Sequence, residues 1–452
     1  MNIIIVGCGK IGFSLVSELI NEGHDVTVVD TDSAAVEEIV NISDCMGVCG
    51  NGVDCDVLDE AGVENAELFV SVTGSDEFNM LSCYIAKRMG AKQTIARIRN
   101  PEYNDNGLVF LKQNLNLSMT INPELLVAKE LYNLLKLPSA AKVEMFSKRN
   151  FEMIELRLKP DSQLDGMTLI ELKKKYPYNY LVCAVKRDEN VYIPDGNFTL
   201  QAGDIITIVG KSAQVAAFFK KLGLPTSRTK DVMIIGGGET SYYLANLLTD
   251  IGIDVKIVDK SRARCEELSE LLPKAMVICG DGTERELLME EGLPSAGAFV
   301  AMTNLDEENI MLSLFAKSQM KGKVITRIHR IAYDEIVANL DLDSIVYPKS
   351  ITAEIIIKFV RAMHNSLGSN IETLYRLNEG KVEALEFLIK EDCPIVGVPL
   401  QELKLKDNLL VCSINHKGTI LTPGGQSVMS VGDTVVIVTT ATGFHDIRDI
   451  LE

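Results

Sequence analysis

Positive charge is what this sequence is short of. Forty-five Lys and Arg stand against 63 Asp and Glu, a formal net charge of −18 over 452 residues. A polyanion of that size does not hold nucleic acid or an anionic bilayer by bulk charge, and Lys and Arg are scattered among the acids instead of gathered in an arm. Nucleic acid is therefore excluded as a partner. Long apolar runs are missing as well. Each is interrupted short of the ~18 residues a spanning helix needs, and even Ile355-Ile356-Ile357 lies between Glu354 and Lys358. Met1-Asn2 leads straight into the apolar Ile3-Ile4-Ile5-Val6, with no basic n-region or small-residue cleavage site. The ten Cys are spread over too long a chain for a disulfide framework and read as reduced thiols. Cys45, Cys49 and Cys55 have neither zinc spacing nor a neighbouring His, so they read as buried or half-buried free thiols and no metal is expected. A soluble, cytosolic chain is the expectation.

What the chain does contain is itself, twice. Asn2-Ile3-Ile4-Ile5-Val6-Gly7 returns about 229 residues later as Asp231-Val232-Met233-Ile234-Ile235-Gly236. Val28-Val29-Asp30 falls on Ile257-Val258-Asp259, and Cys49-Gly50-Asn51-Gly52 on Cys279-Gly280-Asp281-Gly282. Val72-Thr73 with Asp76-Glu77 and Asn79 falls on Met302-Thr303 with Asp306-Glu307 and Asn309. Further on, Leu181-Val182-Cys183 pairs with Leu410-Val411-Cys412, and Ala202-Gly203-Asp204 with Val431-Gly432-Asp433. Each half thus holds a large block and a small one.

The large block alternates buried apolar strands with helical periodicity, the pattern of a doubly wound parallel sheet. The small block has short strands and glycine turns, an α+β unit. The expected organisation is a first Rossmann-like domain over 1–122, a connecting helix over 123–140 and a small domain over 141–224. A linker over 225–230 leads to a second Rossmann-like domain over 231–347, a connecting helix over 348–370 and a small domain over 371–452. The two connecting helices, Pro123–Leu137 and Pro348–Met363, carry apolar faces larger than one block can cover, so a homo-oligomer is expected.

Gly7-Cys8-Gly9-Lys10-Ile11-Gly12 is a G-x-G-x-x-G run between a strand and a helix. Its first Gly permits the tight turn, the second lets a pyrophosphate reach the backbone, and the third lets helix and strand pack closely. The free N–H groups of the helix start face the phosphates. Asp30 ends the second strand, where a carboxylate accepts from adenosine ribose hydroxyls and repels a 2′-phosphate, which favours NAD(H) over NADP(H). The other reading of Asp30 is a capping residue on a sheet that binds nothing. In the second half, Gly236-Gly237-Gly238-Glu239-Thr240-Ser241 loses the third glycine and puts a carboxylate where Lys10 stands, so weaker binding is expected there, or none. Thr73-Gly74 and Thr303-Asn304 lie at the carboxyl edge of a parallel strand, where such sheets bind ligands. Arg97 and Arg327 offer forked donors to phosphate, or to an ordinary ion pair. The histidines are His24, His329, His364, His416 and His445, and none is in evident pairing with a carboxylate. No catalytic constellation is visible.

Together, the V-T-x-x-D-E-x-N stretch, Ile95-Ala96-Arg97-Ile98-Arg99 and the duplicated Rossmann-plus-small-domain order resemble the regulator-of-potassium-conductance (RCK) family over essentially the whole chain. The resemblance implies a non-enzymatic cytosolic subunit, peripherally associated with the inner face of the membrane. It would form a ring, a tetramer, on a separate Trk-type potassium-transporting membrane subunit. It implies NAD(H) as ligand, and often ATP or ADP. Carried over by position, the contacts are Gly7, Cys8, Gly9, Lys10, Ile11, Gly12, Asp30, Thr73, Gly74 and Arg97. In the second half they are Gly236, Gly237, Gly238, Glu239, Thr240, Asp259, Thr303, Asn304 and Arg327. An NAD-dependent oxidoreductase and a nucleotide sensor of another cation transporter remain as alternatives.

Overall fold

Strands β1 (Asn2–Val6), β2 (Asp25–Asp30), β3 (Met46–Cys49), β4 (Leu68–Ser71), β5 (Gln93–Arg97) and β6 (Met119–Ile121) build one sheet in the computed structural model. It describes all residues except 101–102, 104, 137–141, 147–150, 189, 225–228, 330–336, 338–339, 341, 366–370, 378–380, 442–443 and 445. Most of the expected linker, the far ends of both connecting helices and His445 therefore lie outside the described residues. The sheet order is β3-β2-β1-β4-β5-β6, with parallel pairing throughout. β4 is buried at every position because helices cover both faces. The order reverses between β1 and β4, which opens a crevice at the carboxyl ends of those two strands. The second half repeats the topology with Asp231–Ile235 and Ala298–Ala301 as the central pair.

Each small domain is a five-stranded antiparallel sheet. The two sheets pack face to face: Cys183, Ala184 and Val209 meet Ala384, Cys412, Val436 and Val438. The matched Cys183 and Cys412 are thus both buried where the halves join. All ten Cys are free, but Cys49 and Cys55 are exposed, not buried or half-buried, because they lie at the edge strand β3 and the short helix after it. Among the described residues no group of His, Cys, Asp or Glu is arranged to hold a metal, and no helix is long and apolar enough to cross a membrane.

The connecting helices change places. Pro123–Lys136 leaves the first sheet and buries Val127, Leu131, Leu134 and Leu135 against Val232, Leu244 and Leu248 of the second Rossmann-like domain. Pro348–Asn365 does the reverse, burying Ile356, Ile357 and Val360 against Ile3, Ile5 and Leu15. At roughly 1.5–3 kcal/mol per buried aliphatic side chain, the exchange ties the halves into one body. The apolar faces from which an oligomer was expected are therefore largely closed within a single chain, by the opposite Rossmann-like domain instead of by a second copy. Arg361 extends the tie, donating to Glu22 of the first domain at 2.6 Å and to Glu383 of the second small domain at 3.3 Å.

Candidate functional site

The glycine turn after β1 begins with Gly7 at φ +107°, a left-handed conformation that side chains resist. A Cβ on Gly12 would sit 1.9 Å from the Gly7 carbonyl oxygen, so the third glycine is what lets the helix Lys10–Asn21 close on the strand. Gly9 is the N-cap of that helix and has nothing within 4 Å of where its Cβ would be. The turn therefore presents bare backbone and a helix N-terminus to open space, the arrangement that receives a phosphate. Asp30 Oδ2 accepts the Cys8 N–H at 2.6 Å and Oδ1 accepts the Asp32 N–H at 3.0 Å. The carboxylate thereby locks the turn and still faces the cavity with spare lone pairs. Burial and the nearby Asp30 push the Cys8 thiol up to about 12, so it stays protonated and is no nucleophile.

The repeated D-E-x-N motif holds the opposite wall. Asn79 Oδ1 accepts from the Thr73 N–H at 2.9 Å and from its hydroxyl at 2.7 Å, while its amide donates to the Arg97 carbonyl at 3.0 Å. Asn309 likewise accepts the Thr303 N–H at 2.7 Å and donates to the Arg327 carbonyl at 3.0 Å, but the Thr303 hydroxyl turns to the Leu305 carbonyl instead. Asp76 accepts from the N–H groups of Arg99 and Asn100, both at 2.8 Å. These residues fix the loop that carries Thr73 and Gly74 and make no direct claim on a ligand.

A cavity of about 880 Å³ results, lined by Gly7, Gly9, Lys10, Ile11, Asp30, Thr73, Gly74 and Arg97. Cys8 and Gly12 do not line it; both lie behind the turn, buried. A second cavity of about 730 Å³ is lined by all nine positions named for the second half, Gly236, Gly237, Gly238, Glu239, Thr240, Asp259, Thr303, Asn304 and Arg327. Each is large enough for a nucleotide. The second turn differs as its sequence demands. Ser241 turns its hydroxyl onto the Gly236 carbonyl, and Glu239 is met at 3.0 Å by Arg264, which also donates to the Gly237 carbonyl at 2.6 Å. The acid set against a phosphate thus comes with a partner of its own.

The two cavities share part of their walls, Glu124, Thr240, Arg327 and His329 lining both. Thr240, Arg327, His329, Pro348, Lys349 and Thr352 of the second half line the first cavity. Glu124 of the first half lines both. Arg97 pairs with Glu124 at 2.8 Å and donates to the Thr73 carbonyl at 3.3 Å; Arg327 donates to the Thr303 carbonyl at 2.8 Å. Burial pulls the Arg327 guanidinium down to about 10. Two histidines do pair with carboxylates, contrary to expectation: His329 with Asp306 at 3.2 Å and His416 with Asp433 at 2.6 Å. Both partners stand many residues away and are brought in by the strand crossings. Burial, and then Arg327, lower the His329 pKa, so its ring is neutral at pH 7. The repeat itself could have flagged Glu124 and Lys349, since Pro123-Glu124 and Pro348-Lys349 hold matched positions.

Paired glycine-turn cavities on exchanged Rossmann-like halves, each followed by a small antiparallel domain, define a tandem RCK-type protein. Family models agree: the TrkA-N domain matches residues 3–117 and 232–348, and the TrkA-C domain matches residues 153–223 and 384–452. The Trk system potassium uptake protein TrkA homolog 1 of Methanosarcina mazei is 31% identical over 99% of both chains. The Trk system potassium uptake protein TrkA of Haemophilus influenzae is 30% identical over 97% of this chain and 95% of its own. The chain belongs to the TrkA family of potassium uptake proteins. Its fold is shared with the GsuK channel bound to NAD, at a TM-score of 0.64 and 17% identity over 97% of this chain and 77% of that one. The GsuK RCK domain superposes at 0.65, also at 17% identity, over 97% and 92%.

Proposed function

We propose that this chain is a cytosolic regulatory subunit, bound peripherally to the inner face of the membrane, that senses nucleotides and gates a separate Trk-type potassium-transporting membrane subunit. NAD(H) and adenine nucleotides are its ligands, held by the two glycine turns, with Asp30 and Asp259 on the ribose and Arg97 and Arg327 on phosphate. Copies of the chain assemble into a tetrameric ring. The observation that carries this reading is that each cavity takes part of its wall from the opposite half. A ligand shifts a conformational equilibrium only through unequal affinity for its states, and a site closed by two bodies has unequal affinity whenever they move. Kinship with potassium uptake proteins supplies the transported ion. The test is potassium flux through a Trk-type membrane subunit in liposomes, with and without this chain, titrated with NADH and ATP. Flux that depends on both chain and nucleotide supports the reading; flux indifferent to either removes it. Stable co-purification with a different cation transporter would move the same mechanism to that partner.

The His329–Asp306 pair beside the first cavity favours a second reading, an NAD-dependent oxidoreductase in which His329 relays a proton. NADH incubated with a panel of carbonyl compounds decides it. The regulatory account expects no consumption of NADH above that of the buffer.

A further inference from the structure

Two thiols face each other in the second Rossmann-like domain. Met276–Cys279 is an edge strand of that sheet, and its last residue, Cys279, pairs in register with Asp259 of the strand Asp254–Asp259. Side chains alternate between the faces of a strand. Val277 packs in one cluster with Leu268 and Leu272 of the helix Arg262–Leu271, so Cys279, two residues on, lies on the face that this helix covers. Cys265 comes down from the first turn of the helix. Its Sγ donates to the Asp259 carbonyl at 3.2 Å and lies 3.7 Å from the carbonyl oxygen of Ile278, the residue before Cys279. Cys265 is buried and Cys279 is exposed. Burial, and then the Cys279 thiol against it, push the Cys265 thiol up to about 11, so it stays protonated at pH 7. The first half has only one member of the pair. Ser33-Ala34-Ala35-Val36-Glu37-Glu38 falls on Arg262-Ala263-Arg264-Cys265-Glu266-Glu267, which sets Val36 where Cys265 stands, while Cys49 matches Cys279.

We propose that Cys265 and Cys279 form a reversible disulfide site, oxidised by a small-molecule disulfide. The exposed Cys279, as thiolate, attacks one sulfur of the small disulfide; that S–S bond breaks, one thiolate leaves, and a mixed disulfide remains on Cys279. The Cys265 sulfur then attacks Cys279 Sγ and expels the second thiolate. Each departing thiolate takes up the proton that its attacker lost. Two protein thiols are oxidised to one disulfide, and one small disulfide is reduced to two thiols. In a reducing compartment such a bond is a transient sensor and not a permanent staple. It fastens the helix to the edge strand beside two wall residues of the second cavity, since Arg264 precedes Cys265 and Asp281 lies two residues past Cys279. Arg264 holds both Glu239 and the Gly237 carbonyl, so the state of the thiols reaches the second glycine turn. The chemistry of the pair requires no nucleotide in either cavity.

The test incubates the reduced, full-length chain with glutathione disulfide, quenches with acid, alkylates the remaining thiols and digests with trypsin. Cleavage after Arg264, Lys274 and Arg285 puts the two cysteines on separate peptides, so mass spectrometry reads the bond as one joined species. That species is the expected product; it disappears in Cys279→Ser and is reversed by dithiothreitol. Cys265→Val, which installs the residue of the first half, is expected to leave about tenfold more glutathione on Cys279 than the parent retains, because the resolving thiol is gone. Cys49 is the internal reference: exposed like Cys279 but matched with Val36, it is expected to hold glutathione without joining a second peptide. Thermal unfolding verifies that the variants fold, and the parent with Cys279→Ser carries the test if Cys265→Val does not. Glutathione that persists on Cys279 of the parent without the joined species would overturn the proposal. So would a Cys279 left unmodified, or a Cys265 joined equally to other cysteines.

Discussion

Gly12→Ala would add a single methyl at the tightest point of the first turn. That carbon would lie 1.9 Å from the Gly7 carbonyl oxygen and 3.1 Å from its carbonyl carbon, both backbone atoms that cannot swing aside. The helix Lys10–Asn21 must then retreat by about an ångström, an overpacking cost of about 1–3 kcal/mol. Its free N–H groups retreat with it, and losing one charge-assisted hydrogen bond to a phosphate is worth about 1.5–3 kcal/mol, a factor of ten or more in affinity. Gly9→Val is the informative contrast. Gly9 adopts an extended φ of −69° with open space beside it, so its replacement leaves stability almost untouched while filling the phosphate position. Calorimetry with NADH and denaturant unfolding should therefore split the two variants: Gly12→Ala loses affinity and stability, Gly9→Val affinity alone. A Gly12→Ala protein that binds NADH like the parent would refute the reasoning, since the turn would then have slack that its geometry denies.

Asp30→Ala should weaken NADH at the first cavity at least tenfold, because it removes the partner of the Cys8 N–H and the carboxylate proposed above to accept from the ribose, and the parent should prefer NADH to NADPH; equal calorimetric affinities would contradict this. Lys323 is buried, and desolvation pulls its ammonium down to about 8, with Asp343 and Glu130 opposing the shift. The unfolded chain therefore binds more protons between about pH 8 and 10.5, so this residue makes stability rise with pH across that window; unfolding midpoints measured there should lose this rise in Lys323→Met. Arg361→Ala strands two mostly buried carboxylates, Glu22 and Glu383, and should cost about 3–5 kcal/mol by denaturant titration; a loss below 1 kcal/mol would show that the pairing does not hold the halves.

Much of this architecture can be read from the sequence because duplication makes the pattern visible twice. The continuous apolar run at Ile3–Val6, the glycine turn and the terminal Asp30 recur in step, and only a parallel sheet with a ligand crevice places them so. A cap that spacing alone does not mark sets one boundary: the helix Asp76–Met89 opens where Ser75 accepts from the Phe78 N–H. The helix exchange was hidden for a physical reason. An apolar face such as Leu131, Leu134 and Leu135 says that something covers it, and hydrophobic burial does not specify which block does. Glu124 and Lys349 were overlooked for the same cause, because their cavities exist only after the exchange. The Asn79 and Asn309 roles were also unreadable, although the motif itself was seen. One amide reaching two backbone segments 18 and 6 residues away depends on the parallel crossover.

The central claim is that the first ligand site belongs to both halves, and hydrogen–deuterium exchange on NADH addition tests it most directly. With the second turn blocked by Gly238→Val, the account predicts new protection at Gly7–Ile11 together with protection across the chain, at Arg327–His329 and at the first turn of Pro348–Asn365. Protection confined to residues 1–122 would contradict it.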